Sequence, residues 1–195
     1  MPLTTPNLLS VFRIATAPVL IWLLMYSGPV AGAAAAAVFF LATISDYLDG
    51  YIARSYGSGT TVGKFLDPLA DKVVVTTALI MLAAMPRVPS VPAWIVVVLV
   101  AREFLVTGIR AVAATEGKVF GAEELGKYKM VLQSIAIPML MLHYSYFNVD
   151  LFAAGMFVLW ISMVVSVWSG VDYYVKIIRA MKPKAARPGG RRAAI

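Results

Sequence analysis

Four aspartates stand within one short stretch of this chain: Asp46, Asp49, Asp67 and Asp71, out of ten acidic residues in all. The stretch reads D-Y-L-D-G-Y-I-A-R, then eight residues, then G-K-F-L-D-P-L-A-D. The sequence on either side is apolar enough for a bilayer. A carboxylate at membrane depth is costly, so it ordinarily faces a polar cavity and marks a functional site. Four together suit a hard divalent cation such as Mg2+, which takes oxygen ligands. Asp46, Asp49, Gly50, Ala53 and Arg54 occupy relative positions 0, 3, 4, 7 and 8. In a helix of 3.6 residues per turn these share one face. Asp67 and Asp71, four apart, share a face of the next helix. A short turn makes the two helices antiparallel neighbours, so the aspartate faces can converge. Converging carboxylates repel unless cations neutralise them, and two Mg2+ ions would do so. Such a pair can clamp the attacking and leaving oxygens of an in-line phosphoryl displacement. Gly50 and Ala53 leave the helix face without bulk beside the acids, and Arg54 presents a planar fork suited to phosphate. The combination reads as a diphosphate site. A single aspartate here would read as a helix cap or interfacial residue, but four in this arrangement do not.

The elements that position these residues are predicted to be membrane helices. The chain is 61% hydrophobic, where a soluble domain has about 45–50% apolar residues. Six spans can be drawn, at roughly 7–27, 31–56, 62–86, 91–115, 124–146 and 149–179, each long enough for about 30 Å of hydrocarbon. The connections on one side hold a single basic residue, Arg87. The other side receives Arg54, Lys64, Lys118, Lys127, Lys129 and the basic tail. By the positive-inside rule that side is cytoplasmic. Both termini and the aspartate ends of helices 2 and 3 then face the cytoplasm. The expected architecture is all-α and integral to the membrane, with a six-helix domain over 1–181 and a basic, disordered tail over 182–195.

The first 27 residues read as a retained helix rather than a signal peptide, since no basic region precedes the apolar run and Arg13 and Pro18 interrupt it. Asn7 is a candidate cap. Arg13 has two readings, snorkelling to the interface or facing the cavity of the aspartates. The alanine run from Ala33 to Ala37 reads as close helix packing. Asn148 or Asp150 should cap helix 6, and Asp172 and Lys176, four apart, should form a surface pair. His143 reads as interfacial. With no cysteine there is no disulfide or thiol chemistry. No glycine-rich phosphate loop is present, and the basic charge follows topology rather than pointing to nucleic acid.

The pattern D-x2-D-G-x2-A-R-x8-G-x3-D-x3-D, carried here by Asp46, Asp49, Gly50, Ala53, Arg54, Gly63, Asp67 and Asp71, resembles the signature of the CDP-alcohol phosphatidyltransferases, with no departure in residue or spacing. The resemblance implies transfer of a phosphatidyl group from CDP-diacylglycerol to an alcohol, with release of CMP. It implies Asp46, Asp49 and Asp67 as metal ligands. Asp71 would be ligand to a second metal, general base for the acceptor hydroxyl, or both. The ions would be Mg2+, with Mn2+ as substitute. Asp49, Gly50, Ala53, Arg54, Gly63 and, from the first helix, Asn7 would line the CDP-diacylglycerol site. A homodimer is also implied.

The motif does not name the alcohol. Arg102, Arg110, Lys118, Lys127 and Lys129 cluster on the cytoplasmic side of helices 4 and 5, and Arg102 and Arg110 lie roughly on one face. An anionic acceptor needs such cations. Topology alone explains Lys118 but explains Arg102, inside an apolar helix, poorly. Glu103 reads as orienting Arg102 rather than acting catalytically. R-E-F-L-V-T-G-I-R at 102–110, G-K-Y-K at 126–129 with Gln133, and N-L-L-S-V-F-R at 7–13 resemble the branch of the family that makes phosphatidylglycerophosphate. Ser10 and Met130 stand where that branch has threonine. The resemblance implies sn-glycerol 3-phosphate as acceptor, held at its phosphate by Arg102, Arg110, Lys127 and Lys118. Competing readings are another acceptor (inositol phosphate, serine or phosphatidylglycerol), a divalent-cation transporter, and a prenyltransferase with its own Asp-rich metal motif.

Overall fold

The structure, a computed structural model, describes residues 5–56, 61–86, 89–115, 124–146 and 149–181. Within these, the side chains of 5–10, 46–56, 61–68, 71, 124–125, 145–146 and 181 fall outside the described residues, as does the expected tail at 182–195. Six helices form, in the order α1 (Thr5–Leu24), α2 (Pro29–Tyr56), α3 (Thr61–Ala84), α4 (Ala93–Thr115), α5 (Glu124–Leu142) and α6 (Leu151–Met181). Between α5 and α6 a two-residue strand, β1 (Ser145–Tyr146), pairs antiparallel with β2 (Val149–Asp150).

The helices match the six expected from the sequence, and their ends differ for local reasons. α2 begins at Pro29, where proline's fixed φ suits the first helical position. α1 takes Pro6 and Asn7 into its first turn, so Asn7 is not its cap. α5 stops at Leu142 because His143 adopts a φ of 59°, and left-handed backbone ends a helix. The His143 ring then packs edge-on against Tyr144 and Phe152, at 5.7 and 5.0 Å between centroids. Asp150 caps α6, its Oδ1 accepting the Ala153 N–H at 3.0 Å.

Among the described residues one segment, Leu151–Ala180, is long and apolar enough to cross a membrane. α1, α2 and α3 carry shorter apolar segments, Val11–Leu24, Pro29–Ser45 and Lys72–Ala84. No other helix meets that measure among the described residues. α2 and α3 are 28 and 24 residues long, but the charged motif takes up the last turns of one and the first turns of the other. α4 is interrupted in the same way by Arg102, Glu103 and Arg110.

The helices contact one another in a closed order: α3 lies against α1, α1 against α2, α2 against α5, α5 against α6, α6 against α4, and α4 against α3. Sequence reasoning made α2 and α3 antiparallel neighbours. Among the described residues they touch little, and α1 lies against both. The core is apolar and continuous, with Leu20, Phe39, Leu79, Leu99, Ile137 and Leu159 all buried. α2 turns Gly32, Ala35, Ala36, Phe39 and Ala42 inward, a face of small residues that lets helices approach closely. Gly155 does the same for α6, since a Cβ there would stand 3.0 Å from Met139 Cβ and 3.2 Å from the Leu140 backbone nitrogen. Away from the core, α6 exposes Phe157, Val164, Trp168 and Val171, a surface suited to lipid.

Candidate active site

The aspartates arrive on two helix ends. Asp46 and Asp49, with Gly50, Ala53 and Arg54, lie in the last turns of α2. Gly63, Asp67 and Asp71 lie in the first turns of α3. Both segments are helical in backbone, so the spacings 0, 3, 4, 7, 8 and 0, 4 do put each set on one helix face. Only residues 57–60 separate the helices, and five Cα–Cα steps span at most about 18 Å, which keeps the two motif-bearing ends close. The side chains of all four aspartates, of Arg54 and of Asn7 lie outside the described residues. Among the described side chains no group of three or more His, Cys, Asp or Glu could hold a metal ion. The aspartates were not part of that set. Their donor chemistry, carboxylate oxygen throughout, fits a hard cation such as Mg2+ or Mn2+.

α1 contributes Arg13. It is 2% exposed and shares its inward face with Thr16, Ala17 and Leu20, all buried. Thr16 Oγ1 donates to the Arg13 carbonyl at 2.6 Å. Of the two readings of Arg13, snorkelling to the surface does not fit this burial. Its charge points into the protein, on a helix that lies against both aspartate-bearing helices.

The second half of the chain supplies the cations. Arg102 on α4 donates from Nε to the Ser166 carbonyl at 2.8 Å, from Nη2 to Ser169 Oγ at 3.0 Å, and from Nη1 to Glu103 Oε1 at 2.6 Å. Its hydrogen bonds therefore tie α4 to α6. These contacts arise because α6 offers a serine hydroxyl and a backbone carbonyl within reach. Gly170 makes the room, since a Cβ there would come within 3.3 Å of Arg102 Cγ and Nε. Glu103 orients Arg102, as the sequence suggests, and also takes an ion pair from Lys129 on α5, a residue only 5% exposed. Lys72 on α3 donates to Thr107 Oγ1, and Thr107 in turn donates to the Glu103 carbonyl at 2.7 Å. These polar groups border a narrow cleft among α3, α4 and α5, whose polar wall is Lys72, Thr76, Glu103, Lys129, Gln133 and Ser134.

Arg110 and Lys127 remain exposed. Arg110 sits over the Tyr173 ring, 5.4 Å from its centroid, so it and Arg102 do share the face of α4 that meets α6. Lys118 lies outside the described residues. The parts that sequence reasoning missed are Lys72, Thr107, Ser166, Ser169 and Tyr173. One signal was available. Ser162, Ser166 and Ser169, spaced four and three apart, form a buried polar stripe within the apolar part of α6.

The sequence is similar to those of known proteins. A protein-family model described as CDP-alcohol phosphatidyltransferase matches residues 3–168. A Bacillus subtilis protein named CDP-diacylglycerol--glycerol-3-phosphate 3-phosphatidyltransferase is 39% identical over 189 residues, 91% of this chain and 96% of its own length. A Mycobacterium tuberculosis protein named probable phosphatidylglycerophosphate synthase is 35% identical over 176 residues, covering 89% of this chain and 81% of that one. A rice protein named cardiolipin synthase (CMP-forming) is 34% identical over 193 residues, covering 92% of this chain but 59% of that one. With the eight motif positions intact on α2 and α3 and the family model spanning most of the sequence, the chain belongs to the CDP-alcohol phosphatidyltransferase family.

Proposed function

We propose that this protein transfers the phosphatidyl group of CDP-diacylglycerol to sn-glycerol 3-phosphate, giving phosphatidylglycerophosphate and CMP. The observation that carries the reading is the unbroken eight-position motif on two helix ends held close by a four-residue connection. Asp46, Asp49, Asp67 and Asp71 hold two divalent ions, Mg2+ or Mn2+. Those ions, when bound, supply charge neutralisation at the diphosphate. Gly50, Ala53 and Gly63 leave room for the CDP group, and Asp49, Arg54 and Asn7 contact CDP-diacylglycerol. Asp71 takes the proton of the acceptor hydroxyl. The hydroxyl oxygen forms a bond to the lipid-bearing phosphorus. The bond from that phosphorus to the CMP oxygen breaks, and CMP leaves with the electron pair.

The acceptor carries its own phosphate, and a fixed cation recognises that group. Arg110 and Lys127, exposed on α4 and α5, are assigned to it, and Lys118 is assigned with them. Arg102, bonded to α6, is assigned to the same phosphate. The Bacillus subtilis and Mycobacterium tuberculosis relatives, by name, favour the same acceptor. The active site faces the cytoplasm, as do both termini, and six helices cross the membrane. In support, the charged motif follows the apolar run of α2 and precedes that of α3 in the sequence, as expected of carboxylates kept out of the hydrocarbon. A homodimer is the assembly the family resemblance implies.

Purified protein with CDP-diacylglycerol, Mg2+ and each acceptor in turn tests the reading by release of CMP. Glycerol 3-phosphate should be the fastest acceptor. A second reading, with phosphatidylglycerol as acceptor, is favoured by the similarity to the rice protein. Faster turnover with phosphatidylglycerol, serine or inositol phosphate would replace the first reading.

A further inference from the structure

We propose that Glu103 is a positioning residue, the shared anion that fixes the acceptor-binding cations relative to the aspartates. The inference rests on the acceptor site just assigned. That site is divided among separate helices, with Arg110 on α4, Lys127 on α5 and Asp67 and Asp71 on α3. No helix can set the distance between groups on different helices. Ties between helices must do it.

Such ties converge on one stretch of α4. Glu103 Oε1 accepts from Lys129 of α5 and from Arg102 at 2.6 Å. Arg102 is fixed in turn to Ser166 and Ser169 of α6. Lys72 of α3 reaches Thr107, whose hydroxyl donates to the carbonyl of Glu103 itself. Each tie lies close in sequence to a group of the site. Lys72 follows Asp71 directly. Lys129 is two residues beyond Lys127. Ser169 is four residues before Tyr173, on whose ring Arg110 sits.

Charge makes Glu103 the centre of the set. The side chains of Arg102 and Lys129 are 12% and 7% exposed, and both meet the same carboxylate oxygen. Remove that carboxylate and two cations are left close together in a mostly dry setting. A buried charge that loses an opposite charge is unfavourable, and the repulsion from Arg102 displaces Lys129 and, with it, the turn of α5 that carries it. Lys127, on the same turn, then leaves its seat. The aspartates, reached through a hydrogen bond between neutral and cationic groups rather than through Glu103's charge, move less.

Steady-state kinetics on Glu103→Gln, Lys129→Met and the double variant test this, with folded protein quantified by thermal melting in detergent. Glu103→Gln should raise KM for the acceptor about tenfold, as loss of a supporting hydrogen-bond partner does elsewhere, and leave KM for CDP-diacylglycerol within twofold. Lys129→Met should raise the acceptor KM in the same direction. The double variant should be no worse than the worse single change, because both act through one contact. An unchanged acceptor KM overturns the proposal, as does an equal rise for both substrates. If the two effects instead multiply, Lys129 touches the acceptor independently, and the proposal again fails. Should Glu103→Gln not fold, Lys129→Met alone decides, since an acceptor KM within twofold of the parent would overturn the role of the pair. The acceptor used is whichever alcohol the unmodified protein turns over fastest. A choice other than glycerol 3-phosphate refutes the proposed function, while the split between acceptor and lipid still judges Glu103.

Discussion

The aspartates of α2 and α3 and the cations of α4 and α5 serve one proposed site, but they are assembled differently. The aspartate half lies within 46–71, two helix ends joined by a four-residue connection. Helix periodicity alone sets each face. The cation half needs α3, α4, α5 and α6 together, held by Glu103, Arg102, Lys129 and Lys72. A locally built half should fail in an all-or-none way when one ligand is lost. A half built from tertiary ties should fail by degrees, through affinity for one substrate.

The largest effects are therefore expected in the first half. Asp46→Ala or Asp67→Ala should lower CMP release at least about a hundredfold, with no recovery on raising Mg2+, because a missing ligand removes charge stabilisation at the reacting phosphate. Appreciable turnover in either variant would mean the four carboxylates do not act as one set. Asp71→Asn should reduce kcat by about 10²–10⁴, the range for loss of a general base, while CDP-diacylglycerol binding changes little. Equal loss of binding and rate would make Asp71 a ligand only.

How much could be read from sequence follows the same division. The helical backbone of 46–56 and 61–71 was legible because spacing on a helix is a one-dimensional property. The number of helices and the N-terminal cap of α6 were legible for the same reason, the cap being one of two candidates, Asp150, as was the Asp172–Lys176 pair, which stands at 2.6 Å. The position of α1 against both aspartate helices was not, since packing order depends on faces from all six helices at once. Arg102 illustrates the limit. Its charge and its face on α4 were readable, yet its partners lie 64 and 67 residues away, on α6. A sequence shows that a buried arginine needs hydrogen bonds but not which helix supplies them.

In the cation half the expected effects are smaller and selective. Arg110→Ala should raise the acceptor KM about tenfold, consistent with loss of one hydrogen bond to a charged group, and leave the lipid KM nearly unchanged. Ser169→Ala removes one donor-acceptor pair from Arg102 and should cost about 1 kcal/mol of stability, seen as a lower melting temperature. Its acceptor KM should rise only slightly, since the Ser166 carbonyl and Glu103 still hold the guanidinium.

The smallest effect expected is at Asp172 and Lys176. They form an ion pair of 2.6 Å near the end of α6, with side chains 36% and 52% exposed. Exposed pairs spaced four apart contribute about 0.2–0.5 kcal/mol. Asp172→Asn should therefore shift melting by little and leave kcat and both KM values unchanged. The substitution also probes the boundary between the two halves. Asp172 is an aspartate one residue before Tyr173, against which Arg110 packs. If it mattered as the motif aspartates do, acidic function would not be confined to α2 and α3. If it altered only the acceptor KM, the exposed end of α6 would be part of the acceptor site. Unchanged kinetics would leave Arg110 held through the ring of Tyr173 and not through the neighbouring charge, which is what a guanidinium stacked 5.4 Å from a ring centroid requires.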